Sequence, residues 1–533
     1  MIKNAIQNPL GIPLNPHNRY FVCKSMAIGY AQSIKLDNKR LEQARQFTSI
    51  LLNSFWNEHC LLQNTNLIIS PPPNTRKNSD LPVDPKHLAE ETGKLIASLP
   101  IEDSAFLIGS IYTTMMPDNL RAQMGAYHTP PPLVDRLIDL AQEAGFNLER
   151  SSAIDPSCGG GAFIVPLALR MWKADSNSSP KFTFKRLVSR IKGIELDPFS
   201  AWISRVVLES ALLPLCISSR MRLPENTIVC DDALKNSGIG TYDLVIGNPP
   251  YGRLTLSKIM RTVYQRSLYG HANLYGLFTD LALRMVKPDG VVAYLTPTSF
   301  LGGKYFMNLR SLIMDHASPV AFDFVSDRDG VFDNVLQETI LAAFKSGQHN
   351  LKTSISSLVP RGMHSAEIES VGSVNIPQGA TPWLIPRTTT DSQILSAIHN
   401  MPTRLRDLGY QVSTGQLVWN RFKDQLKSKS SNKTLPLIWA ESITNTGFNF
   451  SAEKRNHRPY FEILKSQKFL VTNKSCVLVQ RTTSIEQERR LIAAVLPQEF
   501  IDKSGGVVVE NHLNMVYSND NSNLIRPEII EVL

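Results

Sequence analysis

The sequence predicts an α/β protein. A doubly wound, mostly parallel sheet forms its centre, with a helical segment before it and a mixed domain after it. Three observations carry this. From about 125 to 345, short β-rich apolar runs alternate with amphipathic helical stretches, as in consecutive βαβ units. Before 120, apolar residues recur at three and four, with no such runs. Beyond about 350 the alternation fades into polar sequence broken by short strand-like runs. The 533 residues suffice for two to four domains. The expected boundaries are 1–120 for an N-terminal helical extension, 121–348 for the α/β domain and 349–533 for a C-terminal domain.

Taken in order, residues 26–63 and 87–115 have helical periodicity, and "SPPPNTRKNSDLPVDP" between them is a Pro-rich linker. The expected strands of the centre are "SSAIDP", "IKGIEL", "NTIVCDD", "YDLVIGNPP", "GVVAYLTP", "VAFDFV" and "TILAAF". The helices between them include "PPLVDRLIDLAQEAG", "AFIVPLALRMWKA", "PFSAWISRVVLESALL" and "LYGLFTDLALRMVKP". "QETILAAFK" after "AFDFV" suits an antiparallel edge hairpin. In the last third, "WLIPR", "PLIWA", "KFLVTN", "CVLVQRTT" and "GGVVVENHLNMVYS" have strand character.

Composition narrows the function classes. With 42% hydrophobic and 19% charged residues the chain is of ordinary globular type, which excludes a disordered or collagen-like protein. No apolar run is long enough to span a bilayer, and the opening "MIKNAIQNPLGIPLNP" lacks the apolar region of a signal peptide. The expectation is a cytoplasmic protein without membrane contact. A formal net charge of +9 permits a polyanionic partner. The six cysteines are scattered without CxxC or zinc spacing, so they read as reduced thiols and no metal site is expected.

The chemistry concentrates at strand ends, where open α/β sheets bind their ligands. "AIDPSCGGGAFIVPLAL" ends a strand at Asp155 and turns through Gly159, Gly160 and Gly161 into a helix. Such glycines let a ligand approach backbone N–H groups. The pattern is neither the G-x-G-x-x-G fingerprint nor a P-loop, so the ligand need not carry a pyrophosphate. The next strand ends in Glu195, placed to hold ribose hydroxyls. The third ends at Asp231 and Asp232; a carboxylate there can accept from an adenine amino group or serve as a helix N-cap. The fourth runs into Asn248-Pro249-Pro250-Tyr251. The prolines fix the backbone so that the Asn248 amide oxygen and the Pro249 carbonyl can both accept from an exocyclic amine. Tyr251 offers a face for a planar base.

As a set these motifs resemble the S-adenosylmethionine-dependent amino-methyltransferases. With "GAYHTPPPLVDRLIDLA" before the glycine turn and "HANLYGLFTDLALRMVKPDGVVAYLTPTSFL" after the fourth strand, they resemble gamma-class, TaqI-like DNA adenine-N6 methyltransferases of type II restriction-modification systems. The resemblance covers about 125–345. It implies a Rossmann-like methyltransferase sheet, a C-terminal target-recognition domain and S-adenosylmethionine as cofactor. Tyr127, Thr129, Asp155, Pro156, Ser157, Gly159 and Gly161 then belong to the methionine end of the cofactor and the turn that carries it. Glu195 takes the ribose, Leu196 and Phe278 lie against the adenine, and Asp232 binds its amino group. Asn248, Pro249, Pro250 and Tyr251 handle the target base, and Phe332 falls where the family has a second aromatic on that base. Ala233 departs from the family, which often has a Phe there to sandwich the cofactor adenine.

The implied partner is double-stranded DNA, with a separately encoded restriction endonuclease acting at the same site. The adenine has to leave the duplex to be methylated. Between 400 and 430, Arg404, Arg406, Arg421 and Lys423 are interleaved with aromatics including Trp419, a composition that suits a DNA groove. The same four-residue motif also serves methylation of RNA bases and of a release-factor glutamine. A non-catalytic DNA-binding specificity protein is the alternative from another class.

Overall fold

Among the described residues, nine strands form one mixed sheet that runs, edge to edge, Ser365–Val374, Thr353–Arg361, Ala317–Val325, Thr339–Ser346, Val286–Pro297, Tyr242–Gly247, Ala153–Asp155, Ile191–Glu195 and Ile228–Cys230. The computed structural model describes residues 15–73, 81–125, 128–175, 179–236, 240–326, 338–347, 352–453, 457–482 and 491–518. Two compact units divide the chain, Met1–Ser396 and Ala397–Leu533.

In the first unit, helices α1 (Pro16–Gln32), α2 (Asp37–Leu62), α3 (Val83–Ala97), α4 (Ser104–Met115), α5 (Asp118–Met124) and α6 (Pro131–Glu143) precede strand β1 (Ala153–Asp155). Next come α7 (Ile164–Ala174), α8 (Pro180–Arg190), β2 (Ile191–Glu195), α9 (Pro198–Ala211), α10 (Leu213–Ser219), β3 (Ile228–Cys230) and β4 (Tyr242–Gly247). A short ribbon, β5 (Arg253–Leu254) and β6 (Ala272–Asn273), brackets α11 (Lys258–Val263). The unit continues through α12 (Leu274–Met285), β7 (Val286–Pro297), α13 (Ser299–Gly302), α14 (Met307–His316), β8 (Ala317–Val325), β9 (Thr339–Ser346), β10 (Thr353–Arg361) and β11 (Ser365–Val374).

Strands β3, β2, β1, β4 and β7 are mutually parallel. The chain builds outward from β1 to β3, then returns to the other side of β1 as β4. That reversal is the switch point at which open α/β sheets hold ligands. Period-2 alternation divides the strand side chains between two cores. Ala153, Leu244, Ile246, Val291, Ala293 and Leu295 join one core with α1 to α4 and α6 to α10. Ile154, Ile194, Val245, Val292 and Tyr294 join another with α12 and α14. Helices therefore cover both faces, which is why the central strands read as continuous apolar runs.

All seven expected strands form, with three differences at the margins. The antiparallel hairpin is interior: β9 lies between β7 and β8 and runs antiparallel to both. The sheet also passes the expected boundary at 348, because β10 pairs parallel with β8 and β11 antiparallel with β10. Ile355 and Leu358 of β10 are buried in opposite cores, but the serines around them disguise the strand. The expected N-terminal helices are present, and Tyr20, Phe47, Leu51, Phe55 and Trp56 lie in the same core as Leu133 and Leu167. "WLIPR" forms no strand; Trp383 instead stacks on Phe322 at 6.0 Å.

The second unit is mixed, mainly β. Tyr410–Thr414, Leu513–Ser518, Cys476–Gln480 and Ala493–Leu496 pair antiparallel in that order. A five-stranded sheet runs Leu426–Lys427, Tyr460–Glu462, Thr434–Ile438, Val507–Val509 and Val471–Thr472. Among the described residues no single helix is long and apolar enough to cross a membrane.

Candidate functional site

A cavity of ≈ 560 Å³ opens beyond the carboxyl ends of β1 to β4. That is within the range of small-molecule sites. Its floor is the glycine turn after β1. Gly159 and Gly161 have φ of +51° and +95°, a left-handed conformation that a side chain strains. A Cβ on Gly161 would also come within 3.1 Å of Ser204 Oγ on α9. Glu195, at the end of β2, pins the turn: its carboxylate accepts from Gly159 N–H at 2.9 Å and from Asp197 N–H at 2.8 Å. Burial holds the Glu195 carboxyl above its ordinary range, against these two donors.

Asp155 is the most buried acid on the wall. It is 1% exposed and accepts from Ser157 N–H at 3.0 Å. It packs against the last residue of β4, where a Cβ on Gly247 would fall 2.6 Å from Asp155 Oδ1. Burial pushes its pKa up to about 8, with the nearby Glu195 charge adding to the shift. Pro156 and Ser157 also line the cavity, and the buried Ser157 Oγ has no partner among the described residues. On the far wall, Asp232 accepts from Leu234 N–H at 3.2 Å and pairs with Lys235 at 2.7 Å. Buried Ala233 and Phe278 line the same wall, and exposed Leu196 forms part of the rim.

The fourth strand delivers Asn248 to the cavity. Its Nδ2 donates to the buried Thr129 Oγ1 at 3.1 Å, which fixes the amide plane. Its Oδ1 is buried and has no partner among the described residues. An acceptor in that state is costly unless a ligand donates to it. Pro249 is buried and Pro250 lines the cavity. Gly125, left-handed at φ +59°, lies directly against this loop; a Cβ there would meet Pro250 Cβ at 2.6 Å. The half-buried Tyr251 turns away from the cavity wall. Its hydroxyl donates to the Leu295 carbonyl at 3.2 Å, and its ring meets Tyr275 edge-on at 6.3 Å.

The structure thus brings Thr129, Asp155, Pro156, Ser157, Gly159, Glu195, Leu196, Asp232, Asn248, Pro250 and Phe278 to one cavity, with Gly161 supporting the turn and Tyr251 behind the loop. Tyr127 and Phe332 lie outside the described residues. His128 was not legible as a site residue. Its ring fills the gap between α4 and the glycine turn, where a Cβ on Gly109 would fall 1.8 Å, and one on Gly160 2.8 Å, from His128 Cε1. Burial pushes its pKa down to about 4, so the imidazole is neutral. The two glycines that admit the ring lie in separate elements, and no local spacing announces the pairing.

In the second unit, Arg404 and Arg406 belong to a turn before the first strand. Arg406 is highly exposed, and its nearest acid is Asp407 at 3.6 Å. Trp419, Arg421 and Lys423 occupy two short turns after that strand. Trp419 is half-buried, edge-on to Trp439 at 6.1 Å, with Lys423 Nζ at 6.0 Å from its ring. Arg421 and Lys423 are exposed, whereas Trp419 serves the core as well as the surface.

Comparison with known proteins gives this geometry a context. Residues 190–332 match the family model described as Eco57I restriction-modification methylase. The type II methyltransferase M.BsuBI of Bacillus subtilis is 26% identical over 420 residues, 75% of this chain and 79% of that protein. M.PstI of Providencia stuartii is 28% identical over 287 residues, 52% of this chain and 56% of that protein. Among solved structures, the type IIL restriction-modification enzyme MmeI in complex with DNA superposes with a TM-score of 0.55 at 13% identity, covering 98% of this chain and 84% of that one, a likeness of fold. Methyltransferases of this kind use S-adenosylmethionine, and a cavity with a pinned glycine turn and strand-end acids fits that cofactor. The chain is similar to the type II restriction-modification methyltransferases.

Proposed function

We propose that this chain is a site-specific DNA adenine-N6 methyltransferase. It transfers methyl from S-adenosylmethionine to a flipped-out adenine and protects cytoplasmic DNA from a separately encoded restriction endonuclease. The observation that carries this is the buried, unpartnered Asn248 Oδ1 at the cavity that holds the glycine turn. Bound there, the cofactor supplies a methyl group already activated by the sulfonium. The protein's part is positioning rather than covalent catalysis. Asn248 Oδ1 and the Pro249 carbonyl take the two amine hydrogens and turn the nitrogen lone pair toward the cofactor. Pro250 keeps the loop rigid, and Thr129 keeps the amide from rotating away. Glu195 holds the ribose, Asp232 the adenine amino group, and Phe278 and Leu196 flank the adenine. Thr129, Asp155, Pro156, Ser157, Gly159 and Gly161 shape the methionine end.

The second unit reads sequence in this proposal, with Arg404, Arg406, Arg421 and Lys423 toward phosphates or base edges and Trp419 beside them. The test is methyl transfer from labelled S-adenosylmethionine to duplex DNA, RNA and release factor in parallel, followed by nucleoside analysis. N6-methyladenine in DNA is the expected product. N4-methylcytosine, methylated RNA or methylglutamine would each replace the substrate assignment.

Two expectations follow for cofactor binding. Glu195→Ala removes an ionised acceptor from the ribose, at a cost of at least about 1.5 kcal/mol, or roughly tenfold in affinity. Titration calorimetry measures it, and unchanged affinity removes Glu195 from the ribose. The second concerns Asp155, whose folded pKa of about 8 lies above the ordinary 3.8. The folded, cofactor-free protein therefore binds a proton that the unfolded chain has released, and Asp155 costs it stability as pH rises from about 4 to 8. A cationic ligand favours the ionised carboxylate and expels that proton. Binding near pH 7 should release up to one proton, seen as a buffer-dependent enthalpy. Asp155→Asn should abolish the release; a proton count unchanged by that substitution would assign it to another group.

A further inference from the structure

Away from the cavity, three residues distant in sequence converge within the first unit. His17 lies in the first turn of α1, Asp103 ends the turn that leads into α4, and His364 sits in the hairpin between β10 and β11. One ligand atom from each lies within 4.8 Å of the others. Asp103 is 2% exposed. It occupies the N-cap position of α4 yet makes no capping hydrogen bond, and its buried Oδ2 has no hydrogen-bond partner among the described residues. The buried His17 Nδ1 has none either. His364 Nε2 stands 3.5 Å from Asp103 Oδ2. A charge-assisted hydrogen bond prefers about 2.7–2.9 Å. Two ligands on one tetrahedral ion, each bonded at about 2.0–2.1 Å, stand roughly 3.4 Å apart.

The surroundings suit a cation. The neighbouring carboxylates Glu102 and Asp135 pair with Lys173 and Arg170, so those cations are engaged elsewhere. A cavity of ≈ 450 Å³ bordered by Asp103 and His364 gives access to solvent and room for a water ligand. Two imidazoles and a carboxylate are borderline donors that select first-row transition ions over magnesium or calcium.

We propose that His17, Asp103 and His364 bind one divalent transition-metal ion, with water completing the coordination, and that this ion ties the start of α1 and the entrance of α4 to the β10–β11 hairpin. Nothing in the sequence announces the site, because its ligands come one from each of three distant segments. It is independent of the methyl-transfer proposal.

The full-length chain, stripped with chelator and dialysed, is titrated with ZnCl2 and, anaerobically, with Fe2+, with Mg2+ as control. One zinc or iron per chain and a raised melting temperature are expected, with no Mg2+ response; metal analysis of the chain before stripping identifies the occupant, since zinc binds such donors more tightly than iron whichever is resident. Co2+ should give visible d–d absorption of a low-symmetry site. His364→Ala tests the location first, since this exposed side chain can be removed without opening the core; His17→Ala tests the buried ligand. Each should weaken the affinity by more than about tenfold and abolish the cobalt spectrum. Absence of stoichiometric metal in the wild-type chain would overturn the proposal. So would metal retained equally by folded H364A and H17A, which would place it on the cysteines or elsewhere.

Discussion

Asn248→Ala is expected to abolish methyl transfer while the fold and cofactor affinity survive. The wild-type amide gives its nitrogen to Thr129 and leaves Oδ1 buried, an acceptor without a partner among the described residues. Alanine removes that burden, and the stability of the free enzyme should hold or rise slightly, because an unsatisfied buried oxygen costs about 1–3 kcal/mol. In the proposed reaction the transition state loses an oriented acceptor at the amine. Removing one oriented hydrogen-bonding group from an active site lowers kcat by about 10²–10³-fold. Asn248→Asp separates charge from geometry: it keeps an acceptor but must bury a carboxylate in place of a donor to Thr129 Oγ1. Single-turnover methylation beside a thermal melt measures both effects. Activity within tenfold of wild type in folded Asn248→Ala would leave Asn248 as a turn residue, and the amine would need another acceptor.

The strand ends of this site were legible because the physics that places them is local. An apolar run followed by Asp155, Glu195, Asp232 or Asn248 marks where a buried strand stops and polar chemistry begins. Four such ends in sequence order suffice to outline a cavity at the switch point of a parallel sheet. What sequence could not provide was long-range steric fit. Gly125 against Pro250, Gly247 against Asp155, and His128 between Gly109 and Gly160 are contacts between segments that no periodicity links. The strand β10 was hidden for a related reason. Its two buried apolar residues, Ile355 and Leu358, face opposite cores, and the serines between them read as surface. Adjacent runs predict only the antiparallel sense of β9, not its insertion between β7 and β8, so the hairpin reads as an edge. The same limit hid the cluster of His17, Asp103 and His364, whose members share no local spacing.

Tyr251→Ala and Tyr251→Phe are expected to part company, and the structure says why. The ring is half-buried, edge-on to Tyr275, and its hydroxyl is tied to the Leu295 carbonyl of β7. Phe keeps the ring and loses one hydrogen bond, costing about 1 kcal/mol of stability and little activity. If the extruded base stacks on this ring, Ala removes a face worth roughly 1–3 kcal/mol, or about 5- to 150-fold in activity. It also removes a packed ring, for which complete burial sets a ceiling of about 3–5 kcal/mol in stability. The two losses separate on one comparison. A stacking loss shrinks when the target adenine lies opposite a gap, since extrusion from a weakened duplex costs less, whereas a packing loss does not depend on the DNA. Fluorescence of 2-aminopurine at the target position, with a calorimetric melt of each variant, reads both. Equal flipping by folded Tyr251→Ala would refute the stacking role. A collapsed melt with activity unmoved by the gap would make Tyr251 a core residue, behind a loop whose Asn248 alone meets the base.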